Sequence, residues 1–78
     1  MKIRFTCNGE IIDAADYGDI VTQMRINAPH AMAADNHEYM IGYAQRAVAL
    51  TNEDIRATNE QEFIRDLVRL RHIEIVNQ

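Results

Sequence analysis

The reactive side chains in this sequence are few: one thiol, Cys7, and three imidazoles, His30, His37 and His72. A thiol becomes a nucleophile when a nearby base or positive field draws off its proton, so Cys7 with any of these histidines is the first constellation to weigh. Nothing around Cys7 predicts a helix N-terminus or a base beside it. Its place on the inner face of a predicted strand favours a small buried thiol instead. The histidines fall short of a metal site. A helical ligand pair needs a second histidine three or four positions on, whereas His37-Glu38 is followed by Tyr39-Met40-Ile41. Asp13, Asp16 and Asp19 recur at every third position, without the alternate-position ligands, sixth-position glycine and closing glutamate of a calcium loop. Helix capping explains Asp16 and Asp19 well enough. No catalytic residue, metal site or cofactor is expected.

Two constellations remain. Arg65, Arg69 and His72 form a row at spacings of four and three, with Arg56 upstream. Such a row could hold a phosphate, a nucleotide or an acidic surface. The interleaved Glu62 and Asp66 cancel much of its field, which favours a solvated face. No Gly-rich phosphate loop supports the row, because the only glycines are Gly9, Gly18 and Gly42. The second constellation is Tyr39, Met40 and Tyr43, with Met32 upstream and His37 at the start of the same predicted helix. Tyrosine and methionine at helical spacing fill cores, and they are also enriched at the centres of interfaces.

The element that must carry this second set is Asn36 to Leu50, NHEYMIGYAQRAVAL. Read as a helix, its apolar residues sweep roughly 200°, far wider than the ~100° of a surface helix. It is therefore expected to be the central helix, covered from several directions or sharing part of its surface with another chain. Asp35 caps it, with Glu38 three residues on. Gly42 lies within it and costs ~1 kcal/mol relative to alanine. That leaves either a tolerated glycine or one required by a crossing element.

The remaining elements follow in order. Lys2 to Ala14 reads as a β-hairpin turning at Asn8-Gly9, the pair that suits a type I′ turn. This pairs Cys7 with Glu10, Phe5 with Ile12, Arg4 with Asp13 and Ile3 with Ala14. Ile3, Phe5, Cys7, Ile12 and Ala14 then share the core face. Asp16 caps a helix running to Ala28, with Tyr17, Ile20, Val21, Met24 and Ala28 on one face and Ile26 opposite. Pro29 stops it, and His30 to Asp35 is a connector. Asn59, with Glu62 three residues on, caps the last helix. Phe63, Ile64, Leu67, Val68 and Leu70 form its apolar face, and Arg65, Asp66, Arg69 and His72 its back. Ile73 to Val76 reads as a short strand, joined so tightly that His72 is expected to act as the C-cap without a glycine. The order ββ-α-α-α-β predicts one α+β domain over residues 1–78. Its three-stranded, mainly antiparallel sheet comprises the hairpin and the last strand, with three helices covering one face.

The chain has 78 residues, 47% hydrophobic and 26% charged, which suits a single globular domain. A core of this size supplies on the order of 3–5 kcal/mol, so small domains commonly add a staple or a partner. One cysteine permits no internal disulfide, and self-association is the more plausible supplement. The net charge of −4, from 12 acids and 8 bases, argues against general phosphate-backbone binding. No apolar run approaches the ~20 residues of a membrane span. With no export signal and a free thiol, a cytoplasmic location is expected.

Across nearly its whole length the chain resembles small proteins encoded by phages, prophages and other mobile elements. The resemblance rests on Met1-Lys2-Ile3-Arg4-Phe5, Gly9-Glu10-Ile11-Ile12, Glu38-Tyr39-Met40, Ile55-Arg56, Glu62-Phe63-Ile64-Arg65-Asp66-Leu67 and Ile73-Glu74-Ile75. It implies an accessory gene product, with binding of a host factor such as a defence system as the expected role. Together with the residues, it gives the leading expectation: a non-enzymatic binding protein, homodimeric, using Tyr39, Met40, Tyr43, Met32 and His37. The alternative is a nucleotide or anion binder using Arg65, Arg69, Arg56 and His72.

Overall fold

The computed structural model describes residues 1–28 and 33–77. Its elements are β1 (Lys2–Phe5), β2 (Ile11–Asp13), α1 (Tyr17–Asn27), α2 (Asn36–Thr51), α3 (Glu60–Arg69) and β3 (Ile73–Asn77). The strands form one antiparallel sheet in the order β2-β1-β3, the expected α+β arrangement. Each helix opens on the cap read from the sequence: Asp16 accepts from the backbone N–H of Asp19, Asp35 from that of Glu38, and Asn59 from that of Glu62.

The hairpin register differs from expectation by two residues. Lys2 faces Asp13, Ile3 faces Ile12 and Arg4 faces Ile11. A type I′ turn would need positive φ at both Asn8 and Gly9, and only Gly9 has it, at 75°. Asn8 instead accepts the N–H of Glu10 through its own side chain, at 2.9 Å. The loop thereby lengthens to Thr6 through Gly9, closed by Phe5 N–H to Glu10 O at 2.8 Å. A slip of two preserves the faces, so Ile3 and Ala14 are buried and Phe5 and Ile12 pack against the core. Arg4 pairs across the sheet with Glu74 of β3 rather than with Asp13. Cys7 leaves the strand for the loop and is exposed, not buried as expected.

The core centres on α3 rather than α2. Phe63, Ile64 and Leu67 are fully buried, against Ile3, Ile20, Val21, Met40 and Ile73 from the surrounding elements. On α2 only Tyr39, Met40 and Ala47 are buried, while Ile41 and Val48 are exposed. The physical reason is the distribution of bulk. The large side chains of α3 lie on one face, whereas those of α2 are spread around it, and one core can cover only one face. Among the described residues no element crosses α2 at Gly42. A methyl group there would meet only the Arg46 guanidinium, at 3.4 Å, so the glycine is the tolerated kind.

Candidate functional site: a Tyr43–His72–Glu53 relay in a cleft

Two tight turns build the site. Asn52 ends α2 in the left-handed conformation at φ 58°, its N–H donating to Val48 O, and the chain folds back so that Glu53 lies under the helix end. Arg71 ends α3 at φ 63°, with Arg71 N–H donating to Val68 O and His72 N–H to Leu67 O. That is a Schellman arrangement in which Arg71, not His72 as expected, takes the position usually given to glycine. Asn52 and Arg71 are the only non-glycine residues with positive φ among those described, and each immediately precedes a member of the site.

Tyr43 reaches from α2 over Phe63, its ring edge-on with centroids 5.4 Å apart. Its hydroxyl lies 2.7 Å from Nδ1 of His72, and Nε2 of His72 lies 2.7 Å from Oε1 of Glu53. The Thr51 hydroxyl is 2.8 Å from the same carboxylate oxygen and 2.8 Å from Ala47 O, and its one proton serves either. Burial pushes the Tyr43 phenol up to about 12, with negative charge at Tyr39, Cys7 and Glu53 adding to the effect. The Thr51 hydrogen bond, then that of His72, lowers the Glu53 carboxyl. Donor accounting then fixes which tautomer a neutral ring adopts. Glu53 is a carboxylate and only accepts, so Nε2 carries the proton, and Nδ1 accepts from the Tyr43 O–H.

Phenol, imidazole and carboxylate stand in the order of nucleophile, base and orienting group. Both ring nitrogens are already occupied, and the phenol is held protonated. At neutral pH the relay acts as a latch, tying α2, the segment after it and the start of β3 together. It lines a cleft of about 540 Å³ together with the hairpin loop that carries Cys7. Among the described residues no group of three or more potential ligands could hold a metal ion, and no helix is long and apolar enough to cross a membrane.

The arginine row is largely occupied from within. The Arg56 side chain grips Asp66 in a bidentate pair at 3.0 and 2.9 Å, and its backbone N–H donates to the same carboxylate at 2.8 Å. Arg56 also pairs with Glu62. Arg69 lies 3.6 Å from Asp66 and donates to Asp54 O at 3.2 Å. Asp66 is buried, not on the solvated back of α3 as expected. The Arg56 hydrogen bonds hold its carboxyl well below the ordinary 3.8, at about 2. His72 belongs to the relay, and Arg65 is exposed on α3. The row does not converge on one open anion pocket.

Of the aromatic set, Tyr39 and Met40 lie in the core, Tyr43 is half-buried in the relay and His37 is exposed. Met32 and His30 lie outside the described residues. The relay was missed from sequence because Glu53 and His72 are 19 positions apart and meet through two turns without glycine. A signal was present in the Thr51-Asn52 helix stop, since asparagine is the non-glycine residue that most readily turns left-handed. No protein-family model, curated protein or solved structure was found to match the chain.

Proposed function

We propose that this chain is a non-enzymatic binding protein that acts by protein–protein contact and associates as a homodimer through the outer face of α2. The observation that carries this reading is a solvent-facing stripe of His37, Ile41, Ala44, Gln45 and Val48, repeating at helical spacing. Ile41 is 38% exposed and Val48 51% exposed. Ala44, Gln45, Val48 and Ala49 line a shallow groove floored by Ile55. The stripe carries no Asp, Glu, Lys or Arg, and Ala44, its smallest residue, lies between its two branched aliphatic residues, Ile41 and Val48.

A second copy suits this surface. Two such helices crossing at Ala44 would set Ile41 of each against Val48 of the other, the self-complementary geometry of a two-fold interface. Burying that surface would also supplement a small core. In the mobile-element setting that the resemblance implies, the dimer would present paired surfaces to a host protein. Light scattering after size exclusion tests the proposal with the full chain and Val48→Glu. The expected result is a dimer for the former and a monomer for the latter. A monomer for the full chain over the whole accessible concentration range would overturn it.

A further inference from the structure

β3 is an edge strand, and among the described residues no strand lies beyond it. The hydrogen bonds fix which backbone groups that edge presents. Phe5 N–H donates to Glu10 O and Ala14 N–H to Met1 O, so Met1, Ile3 and Phe5 direct their backbone groups towards β2. Thr6 N–H donates the other way, to His72 O. With Arg4 opposite Glu74 and Phe5 opposite Ile73, alternation turns the backbone groups of Glu74 towards β1. The N–H and C=O groups of Ile73 and Ile75 therefore point outward, along the open edge. Beside it α3 and β3 bound a groove of about 400 Å³, lined by Val68, Arg71, Ile73, Glu74 and Ile75. The side chains of Ile73, Ile75 and Val68 lie on the core side of the sheet. Glu74 alternates to the outer face, where it pairs with Arg4.

An open strand edge beside an apolar groove accepts an extended segment as a further strand, with alternate side chains entering the groove. The charge around the groove selects the segment. Arg71 lines it, and Arg65 lies three residues before Val68, one turn along the same face of α3. Both arginines are exposed, and among the described residues neither pairs with a carboxylate. Arg4, Arg56 and Arg69, by contrast, are all paired within the chain. In a protein of net charge −4, this groove carries a local positive excess. We propose that the β3 edge binds an extended acidic segment of a partner protein as a fourth strand. The segment's backbone pairs with Ile73 and Ile75, and one of its aliphatic side chains lies against Val68 and Ile75. Carboxylates at alternate positions on the same side meet Arg65 and Arg71. A second copy of β3 suits the edge less well, because Ile73 and Ile75 would bring no carboxylate to either arginine. The proposal rests on reading the chain as a protein that acts by protein–protein contact, and not on the α2 dimer.

Backbone amide NMR of the full chain tests this, titrated with the end-capped peptide GSETVTESG and separately with GSKTVTKSG. The acidic peptide is expected to shift the Ile73 and Ile75 amides in a saturable manner at millimolar concentration, and the lysine peptide to bind about tenfold more weakly. Arg71→Gly removes one guanidinium at a backbone angle that suits glycine, and Arg65→Gln removes the other from an exposed helix position. Combined, they should weaken the acidic peptide about fivefold, the loss expected for two exposed ion pairs. If the double variant fails to fold, each substitution alone should weaken it about twofold. No saturable shift at Ile73 and Ile75 overturns the proposal. So does equal binding of the lysine peptide, or unchanged affinity in whichever folded variant is measured. Shifts of these two amides on dilution of the chain alone, the mark of a second copy on this edge, overturn it as well. A monomeric full chain would overturn the α2 dimer and leave these outcomes unaltered, and absence of peptide binding would leave the dimer standing.

Discussion

Arg71 shows how one backbone angle carries cost and placement together. A left-handed conformation disfavours any side chain with a Cβ, and Arg71 adopts it at φ 63° so that His72 can enter β3 beside Tyr43. Arg71→Gly should stabilise the fold by about 1 kcal/mol, read as a higher urea midpoint at unchanged slope. Asp66 sets the acid limit. Its folded-state carboxyl is held at about 2, below the ordinary 3.8. The pair's contribution is therefore complete above about pH 4 and is lost as pH falls towards about 2. On that basis about 2 kcal/mol of stability should disappear across this window. In Asp66→Asn that pH dependence should be largely absent, and the variant should already be weaker at neutral pH by about 2 kcal/mol, because a charged bidentate bond is lost. Chemical denaturation at stepped pH checks both.

At the scale of elements, helix starts were readable because a cap is a local device, with acceptor and donor three residues apart. Asp16, Asp35 and Asn59 each accept the expected N–H. Strand faces were readable because they depend only on alternation. The hairpin register was not, because Asn8-Gly9 suits more than one loop and pairing of β1 with β3 also constrains it. The standing of α2 was misread for a related reason. Apolar width reports what a helix could bury, and only the neighbours decide what it does bury. The buried Asp66 was unreadable because its partner, Arg56, lies ten positions away in a segment without regular structure. Gly42 carries this into a prediction. With only the Arg46 guanidinium near a new methyl group, Gly42→Ala should raise stability by about 1 kcal/mol, measured by thermal and urea unfolding.

At the scale of the whole molecule, one core is organised around α3, and the surplus apolar surface of α2 is turned outward. Val48 is the sharpest probe of that surface, because its side chain is half exposed and outside the core. Val48→Glu should change monomer stability by less than about 0.5 kcal/mol, since it is a surface change to a better helix former. The same substitution would place a charge in the middle of the proposed contact and should abolish association. The most direct measurement is an isotope-filtered NOE experiment on a mixture of labelled and unlabelled chain. The homodimer proposal predicts intermolecular contacts between the methyl groups of Ile41 and Val48 on different copies. Intermolecular contacts confined to the open sheet face at Ile11 and Val76, or none at all, would contradict it.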